Sequence, residues 1–314
     1  MNVTEVKNKT VLYAALDWGF GHVTRSIGII RELIEHQNNV IIACNSEQED
    51  LFKSYFPDLK FEFLEGYNFQ FSGSGNWSFD LWKQRKSFFS TIKSENEFVA
   101  KYCEENKIDF IISDHRYGFY SLNIPSVFIT HQLHLPLSRF YFFVQNWHEK
   151  QLRKFNLLWI LDDENSSLAG KLSNIIKYKN IKYIGLKSRF ETNLNLDIKY
   201  DYLIVISGPK PYSEQFLEEV KLKIDFSSKK VAVLHPTSVL LEKNANFDFY
   251  PATNLKENDM LFYESETIIS RSGYSTLMDL KFLNKKAILF PTTGQKEQEY
   301  LHELWNKNKI SKVN

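Results

Sequence analysis

Leu16–Ser26 reads LDWGFGHVTRS, and the architecture turns on how that stretch is read. It follows the apolar run Val11–Leu16 and leads into Thr24–His36, where Ile27, Ile30 and Ile34, with Ile29 and Leu33, recur at helical spacing. A buried strand, a glycine turn and an amphipathic helix in succession form the opening unit of a parallel α/β sheet. Gly19 and Gly21 permit a tight turn with close backbone approach, and His22 stands at the start of the helix.

The same unit recurs outward from this point. Val40–Cys44 and Lys60–Leu64 read as strands with a short helix, Glu47–Tyr55, between them. Gly66–Asn76, with Gly66, Gly73 and Gly75 among Phe and Ser, marks a loop of the kind that serves as a lid. A long helix is expected from about Phe79 to Asn106, then strands at Ile108–Ser113, Ser126–Thr130 and Leu157–Leu161, with a helix near Leu137–Lys154. Ile181–Thr192, IKYIGLKSRFET, carries no strong pattern and is the expected domain boundary. A second series begins at Tyr202–Ile206: helix Ser213–Lys223, strands Lys230–Leu234 and Phe247–Tyr250, helix Asn258–Glu264, strand Thr267–Ile269, helix Ser275–Leu283, strand Ala287–Phe290 and helix Glu297–Lys307. Two doubly wound α/β domains follow, residues 1–188 and 189–314, with a ligand cleft between them.

Composition narrows the function classes. The 314 residues are 43% hydrophobic and 25% charged, as expected of a globular chain. Lys and Arg number 39 against 38 Asp and Glu, a net charge of +1, which leaves no basic excess for a nucleic-acid backbone. Cys44 and Cys103, the only two cysteines, suggest neither a disulfide framework nor a thiolate metal site. No signal-peptide core or membrane-spanning run is seen, and a cytoplasmic location is expected.

In open parallel sheets ligands sit beyond the carboxyl ends of the strands. His22 there is either a general base or a helix-start residue bonded to backbone. Ser270–Leu280, SRSGYSTLMDL, brings Ser272 and Gly273 to a helix N-terminus where backbone N–H groups can meet phosphate, with Arg271 adding charge; a simple helix cap uses the same residues. Ser207-Gly208-Pro209 repeats the theme after the second domain's first strand, although an ordinary turn reads the same way. Pro291–Glu299, PTTGQKEQE, gathers amides and carboxylates of the kind that pair with sugar hydroxyls or simply face water. Asp114-His115-Arg116 and Thr130-His131-Gln132 end two strands, as cleft walls or as satisfied turns. A helix face with Phe140, Phe143 and Trp147, near Arg139, Lys150 and Arg153, suits either the core or a membrane surface.

Taken together, LDWGFGHVTRS, ISDHRYGFY, FITHQL, VISGPKP and the run from IISRSGYSTLMDL to PTTGQKEQEY resemble the nucleotide-sugar glycosyltransferases of the GT-B fold. The likeness is to glycosyltransferase family 28, with its lipid II-forming N-acetylglucosaminyltransferase, and to uncharacterised bacterial glycosyltransferases sharing the Trp-Gly-x-Gly-His opening. It implies two Rossmann-like domains. Gly19, Gly21 and His22 would face the reacting sugar and acceptor, with Asp114 and His131 at the cleft on the acceptor side. Ser207 and Gly208 would belong to the donor's first loop, Arg271, Ser272 and Gly273 to its diphosphate loop. Asp279, shorter than the family's Glu, would reach the ribose, and Glu297 with Gln298 would read the donor sugar. The implied reaction is hexosyl or N-acetylhexosaminyl transfer, with inversion, from a nucleotide diphosphate sugar such as UDP-N-acetylglucosamine to a carbohydrate or lipid-linked acceptor. No cofactor is expected, and the chain has no Asp-x-Asp pair for a divalent cation. A nucleotide-sugar hydrolase and a non-catalytic binder are the alternatives. The sequence departs from the family where Ser-Gly-Pro replaces a glycine-rich loop, and where the chain ends soon after its last helix.

Overall fold

The computed structural model describes residues 1–136, 142–174, 178, 180–192, 194, 196–235, 246–252 and 255–310. The first half runs β1 (Thr10–Ala15), α1 (Gly21–Glu35), β2 (Asn39–Cys44), α2 (Ser46–Tyr55), β3 (Lys60–Phe63), α3 (Trp77–Lys83), α4 (Arg85–Glu105), β4 (Phe110–Asp114), β5 (Ser126–Thr130), α5 (Phe142–Leu152), β6 (Leu157–Ile160) and β7 (Ile181–Tyr183). The second half runs β8 (Tyr200–Val205), α6 (Tyr212–Lys221), β9 (Val231–His235), β10 (Phe247–Pro251), α7 (Leu255–Asn258), α8 (Met260–Tyr263), β11 (Ser265–Arg271), α9 (Tyr274–Leu283), β12 (Lys286–Phe290) and α10 (Lys296–Ile310). Strands pair in parallel in two sheets, ordered β3-β2-β1-β4-β5-β6-β7 and β10-β9-β8-β11-β12.

The apolar runs read as strands because both faces of each sheet are covered. In β1 the alternation is direct. Val11, Tyr13 and Ala15 pack with Val23, Ile27 and Ile30 of α1, while Leu12 and Ala14 pack with Val99 and Tyr102 of α4. The core on the α1 side continues into Leu203, Ile268, Tyr274 and Leu277, so both sheets share apolar packing.

Three elements differ from the expectation. The helix read from Phe79 to Asn106 is broken at Gln84, which ends α3 and starts α4; its amide donates to the Gln70 and Asp80 carbonyls. Asn258–Glu264 is not one helix but lies across two single turns, α7 and α8, that meet at Asp259, and Arg189 donates to that carboxylate. Ile181–Thr192, expected to be patternless, starts with β7, which pairs with β6. No described helix is long and apolar enough to cross a membrane.

Candidate active site

Strand order reverses between β1 and β4 in one sheet and between β8 and β11 in the other, and crevices open beyond the carboxyl ends of such strands. Ala15 pairs with Asp114 in register, and the Leu16 N–H donates to the Asp114 carbonyl at 2.9 Å. The loop after β1 therefore lies beside the end of β4, 92 residues away in the chain.

At that point His22 Nδ1 is 3.1 Å from Asp114 Oδ1. Asp114 is fully buried and also accepts from Arg25 Nε at 2.8 Å, from a second Arg25 nitrogen on Oδ1, and from Ser26 Oγ. Burial works to raise the Asp114 pKa, yet Arg25 and then His22 hold it far below the usual carboxylate value. A charged carboxylate facing Nδ1 fixes the tautomer: Nδ1 carries the proton and Nε2 the lone pair. Burial and then Arg25 lower the His22 pKa, against the pull of Asp114, so the ring is neutral near pH 7. Arg25 also lies 3.1 Å from His131 Nδ1, and His131 Nε2 lies 2.8 Å from Glu297 Oε1. The His131 ring stacks on Tyr274 with centroids 4.0 Å apart. A continuous polar chain thus runs from His22 through Asp114, Arg25 and His131 to Glu297 on α10, crossing from the first sheet's elements to the second's.

The second-domain loops close on the same place. A Cβ on Gly19, whose φ is +73°, would lie 3.7 Å from the Gly208 Cα, so two glycine turns face each other across the cleft. Ser275 Oγ donates to the Gly21 carbonyl at 2.7 Å, seating the start of α1 against the start of α9. Gly273 is the N-cap of α9, has no side-chain cap, and has open space where a Cβ would stand. Ser207 is half-buried beside exposed Gly208.

The other residues expected at the donor are placed differently from one another. Ser272 is buried and its hydroxyl donates to the Gln298 carbonyl at 2.8 Å. Gln298 Oε1 accepts from Thr292 N and Oγ1, both at 2.9 Å, and so shapes the loop before α10. Arg271 is turned toward α6: it pairs with Glu219 at 2.8 Å, lies over the Phe216 ring and donates to the Tyr212 and Pro291 carbonyls. Asp279, expected at the ribose, is buried, and its oxygens accept from Ser188 Oγ at 2.6 Å and from Arg189 at 2.5 Å. It ties α9 to the segment joining the two sheets.

The Gly66–Asn76 loop lies across the cleft. Gly75 N–H donates to the Tyr212 hydroxyl at 3.0 Å, Trp77 stacks on Tyr212, and Trp77 Nε1 donates to the Thr293 carbonyl at 3.2 Å. A Cβ at Gly294 would sit 1.8 Å from the Gly75 carbonyl oxygen, so the two glycines meet backbone to backbone. On α5, Phe143 is exposed while Trp147 is half-buried against Phe88, Phe89 and Tyr117; Phe140 and Arg139 lie outside the described residues. Among the described residues no group of three or more His, Cys, Asp or Glu side chains could hold a metal ion.

Arg25 escaped the sequence reading. Its signal was present: His22, Arg25 and Ser26 fall on one face at i, i+3 and i+4, beside the buried apolar positions Val23, Ile27, Ile29, Ile30 and Leu33, and a buried Arg demands a partner.

No protein-family model and no curated protein sequence matches the chain. Solved structures do resemble it. The glycosyltransferase of kitacinnamycin superposes with a TM-score of 0.59 at 12% identity, covering 95% of this chain and 85% of its own. The spinosyn rhamnosyltransferase SpnG gives 0.59 at 14% identity, over 93% and 83%, and is also known in complex with thymidine diphosphate and with spinosyn aglycone. MurG of Acinetobacter baumannii gives 0.52 at 11% identity, over 94% and 83%. The chain therefore has the GT-B fold, two parallel-sheet α/β domains facing each other as in these glycosyltransferases.

Proposed function

We propose that the protein is an inverting glycosyltransferase that moves a hexosyl or N-acetylhexosaminyl group from a UDP-linked sugar to an acceptor hydroxyl. The observation that carries this reading is the Asp114–His22 pair at the tip of α1, held against the N-terminus of α9 by the Ser275–Gly21 hydrogen bond. His22 Nε2 takes the proton of the acceptor hydroxyl as its oxygen attacks the anomeric carbon. The bond from that carbon to the diphosphate oxygen breaks, and the electron pair leaves with the nucleotide diphosphate. Attack from the face opposite the leaving group inverts the centre. Asp114 stabilises the imidazolium that forms, and the α9 N-terminus at Gly273 meets the charge that develops on the diphosphate.

With Arg271 paired to Glu219, the helix end and its backbone N–H groups supply the positive potential at this loop. Gly273 and Gly208 leave their surroundings open for a close approach by phosphate. The thymidine diphosphate bound to SpnG, a chain of the same fold, supports a diphosphate ligand here.

Calorimetry with UDP-, GDP- and TDP-sugars tests the donor, with Gly273→Asp as the blocked control. Failure of every diphosphate sugar to bind sinks the proposal. Nucleotide release measured with and without an acceptor extract then separates transfer from hydrolysis. Release that depends on the extract supports transfer, whereas fast release without it would assign hydrolysis to the same residues.

A further inference from the structure

His115 carries two local costs at one position. Its backbone sits at φ +64°, a left-handed conformation that Gly adopts more readily than His. Its Nδ1 is buried without a hydrogen-bond partner among the described residues. The turn around it is pinned from both sides: Ser113 Oγ donates to the Arg116 carbonyl at 2.6 Å and accepts from the Arg116 N–H at 3.1 Å. Arg116 is in turn anchored to Glu95 at 2.7 Å and to the Glu65 carbonyl at 2.6 Å. Such a turn has no need of an imidazole. Paired costs of this kind gather where a side chain serves a ligand.

The ring stands 5.7 Å, centroid to centroid, from the His22 ring, and 5.4 and 5.8 Å from those of Phe128 and Tyr117. Burial, reinforced by the nearby Arg25 charge, drives its pKa well below the ordinary histidine value, so it is a neutral hydrogen-bonding group. A buried bare lone pair is tolerated better than a buried orphan N–H, which puts the lone pair on Nδ1 and the proton on Nε2. The two histidines then present complementary atoms, a lone pair on His22 Nε2 and an N–H on His115 Nε2.

We propose that His115 is a specificity-determining residue that donates a hydrogen bond to a second hydroxyl beside the one His22 deprotonates, so that the acceptor is a vicinal diol, as in a sugar ring. This rests on the glycosyl-transfer reading of His22 and extends it to the acceptor's chemistry. A lone alcohol or phenol would leave the His115 N–H unpaired, and a site built for a hydroxyl discriminates against molecules that lack it.

The test uses the full chain with isotope-labelled histidine rings, loaded with UDP, and titrates methyl hexopyranosides against their monodeoxy counterparts. Both His22 and His115 ring resonances are expected to shift with intact glycosides, and loss of one hydroxyl is expected to remove the His115 shift while sparing that of His22. His115→Asn, a residue at ease with positive φ, should keep its melting temperature and UDP affinity. It should also flatten the intact-over-deoxy preference from about tenfold to near unity. No His115 shift with any glycoside overturns the proposal, as does an Asn variant that melts clearly lower or keeps the preference. UDP affinity measured on the same sample judges the donor reading separately, because it does not depend on the His115 resonances.

Discussion

Asp114→Asn keeps the shape of a fully buried side chain and removes its charge, and two separable losses should follow. The first is catalytic. His22 loses the carboxylate that sets its tautomer and stabilises the imidazolium, and turnover is expected to fall by about 10²–10⁴. The second is structural. Arg25 is 2% exposed and draws its charge compensation from Asp114, so the variant leaves a buried cation without its counter-ion. That costs about 3–5 kcal/mol. For a chain of 314 residues it lowers the melting temperature by roughly 5–8 °C. His22→Ala provides the contrast, because the Arg25–Asp114 pair remains: it should lose a similar factor in turnover but only about 1 kcal/mol of stability. Nucleotide release assayed well below both transitions, alongside calorimetric melting, reads the two effects independently. The double variant should be no slower than the slower single one, since the pair acts as a unit. Multiplicative losses, or near wild-type turnover in Asp114→Asn, would refute the coupling.

Gly294→Ala places a methyl group 1.8 Å from the Gly75 oxygen at a φ of +77°, and should unseat the Gly66–Asn76 loop. The local cost of about 1–2 kcal/mol predicts a roughly 5–30-fold faster proteolytic cut in that loop, and an unchanged cut would count against the contact. Acid should destabilise the fold before its carboxylates titrate. Burial lowers His148 to about 4, against an ordinary value near 6.5, so the unfolded chain binds the extra proton between those limits. Stability is full above about pH 6.5 and falls as pH drops toward 4, by about 3 kcal/mol from this residue. His148→Gln should flatten the slope of melting temperature in that window, and an equally steep slope would assign it elsewhere. Phe142 and Phe143 are 66% and 58% exposed on α5, whose last turns carry Lys150. If that face meets a membrane, the chain pellets with anionic vesicles and Phe142→Ser with Phe143→Ser releases it; equal pelleting of the variant discards the idea.

The β-loop-α rhythm was legible because parallel strands covered on both faces read as unbroken apolar runs, and the loops at their ends could be named as the place to look. What joins those loops was not legible. Asp114 faces His22 through the β1–β4 adjacency, which strand order creates and local pattern does not record. Asp279 matched a ribose-binding position in the resemblance, but its partners Ser188 and Arg189 lie some ninety residues earlier, in a stretch without periodicity. Arg271 likewise gave no sign that Glu219 on α6 would claim it. Charged residues in loops advertise chemistry of some kind, while their partners are settled by topology.

The contact of Gly75 with Gly294 bears on the modularity of such proteins. No side chain mediates it; at this one crossing the fit of the two halves is set by the course of the main chain itself. A chimera that takes its nucleotide half from another protein of this architecture inherits a new chain path at this crossing. It will close properly only if the donor half brings a glycine and a turn of the same shape. The two halves look like interchangeable parts on a topology diagram, yet the join between them is cut to measure.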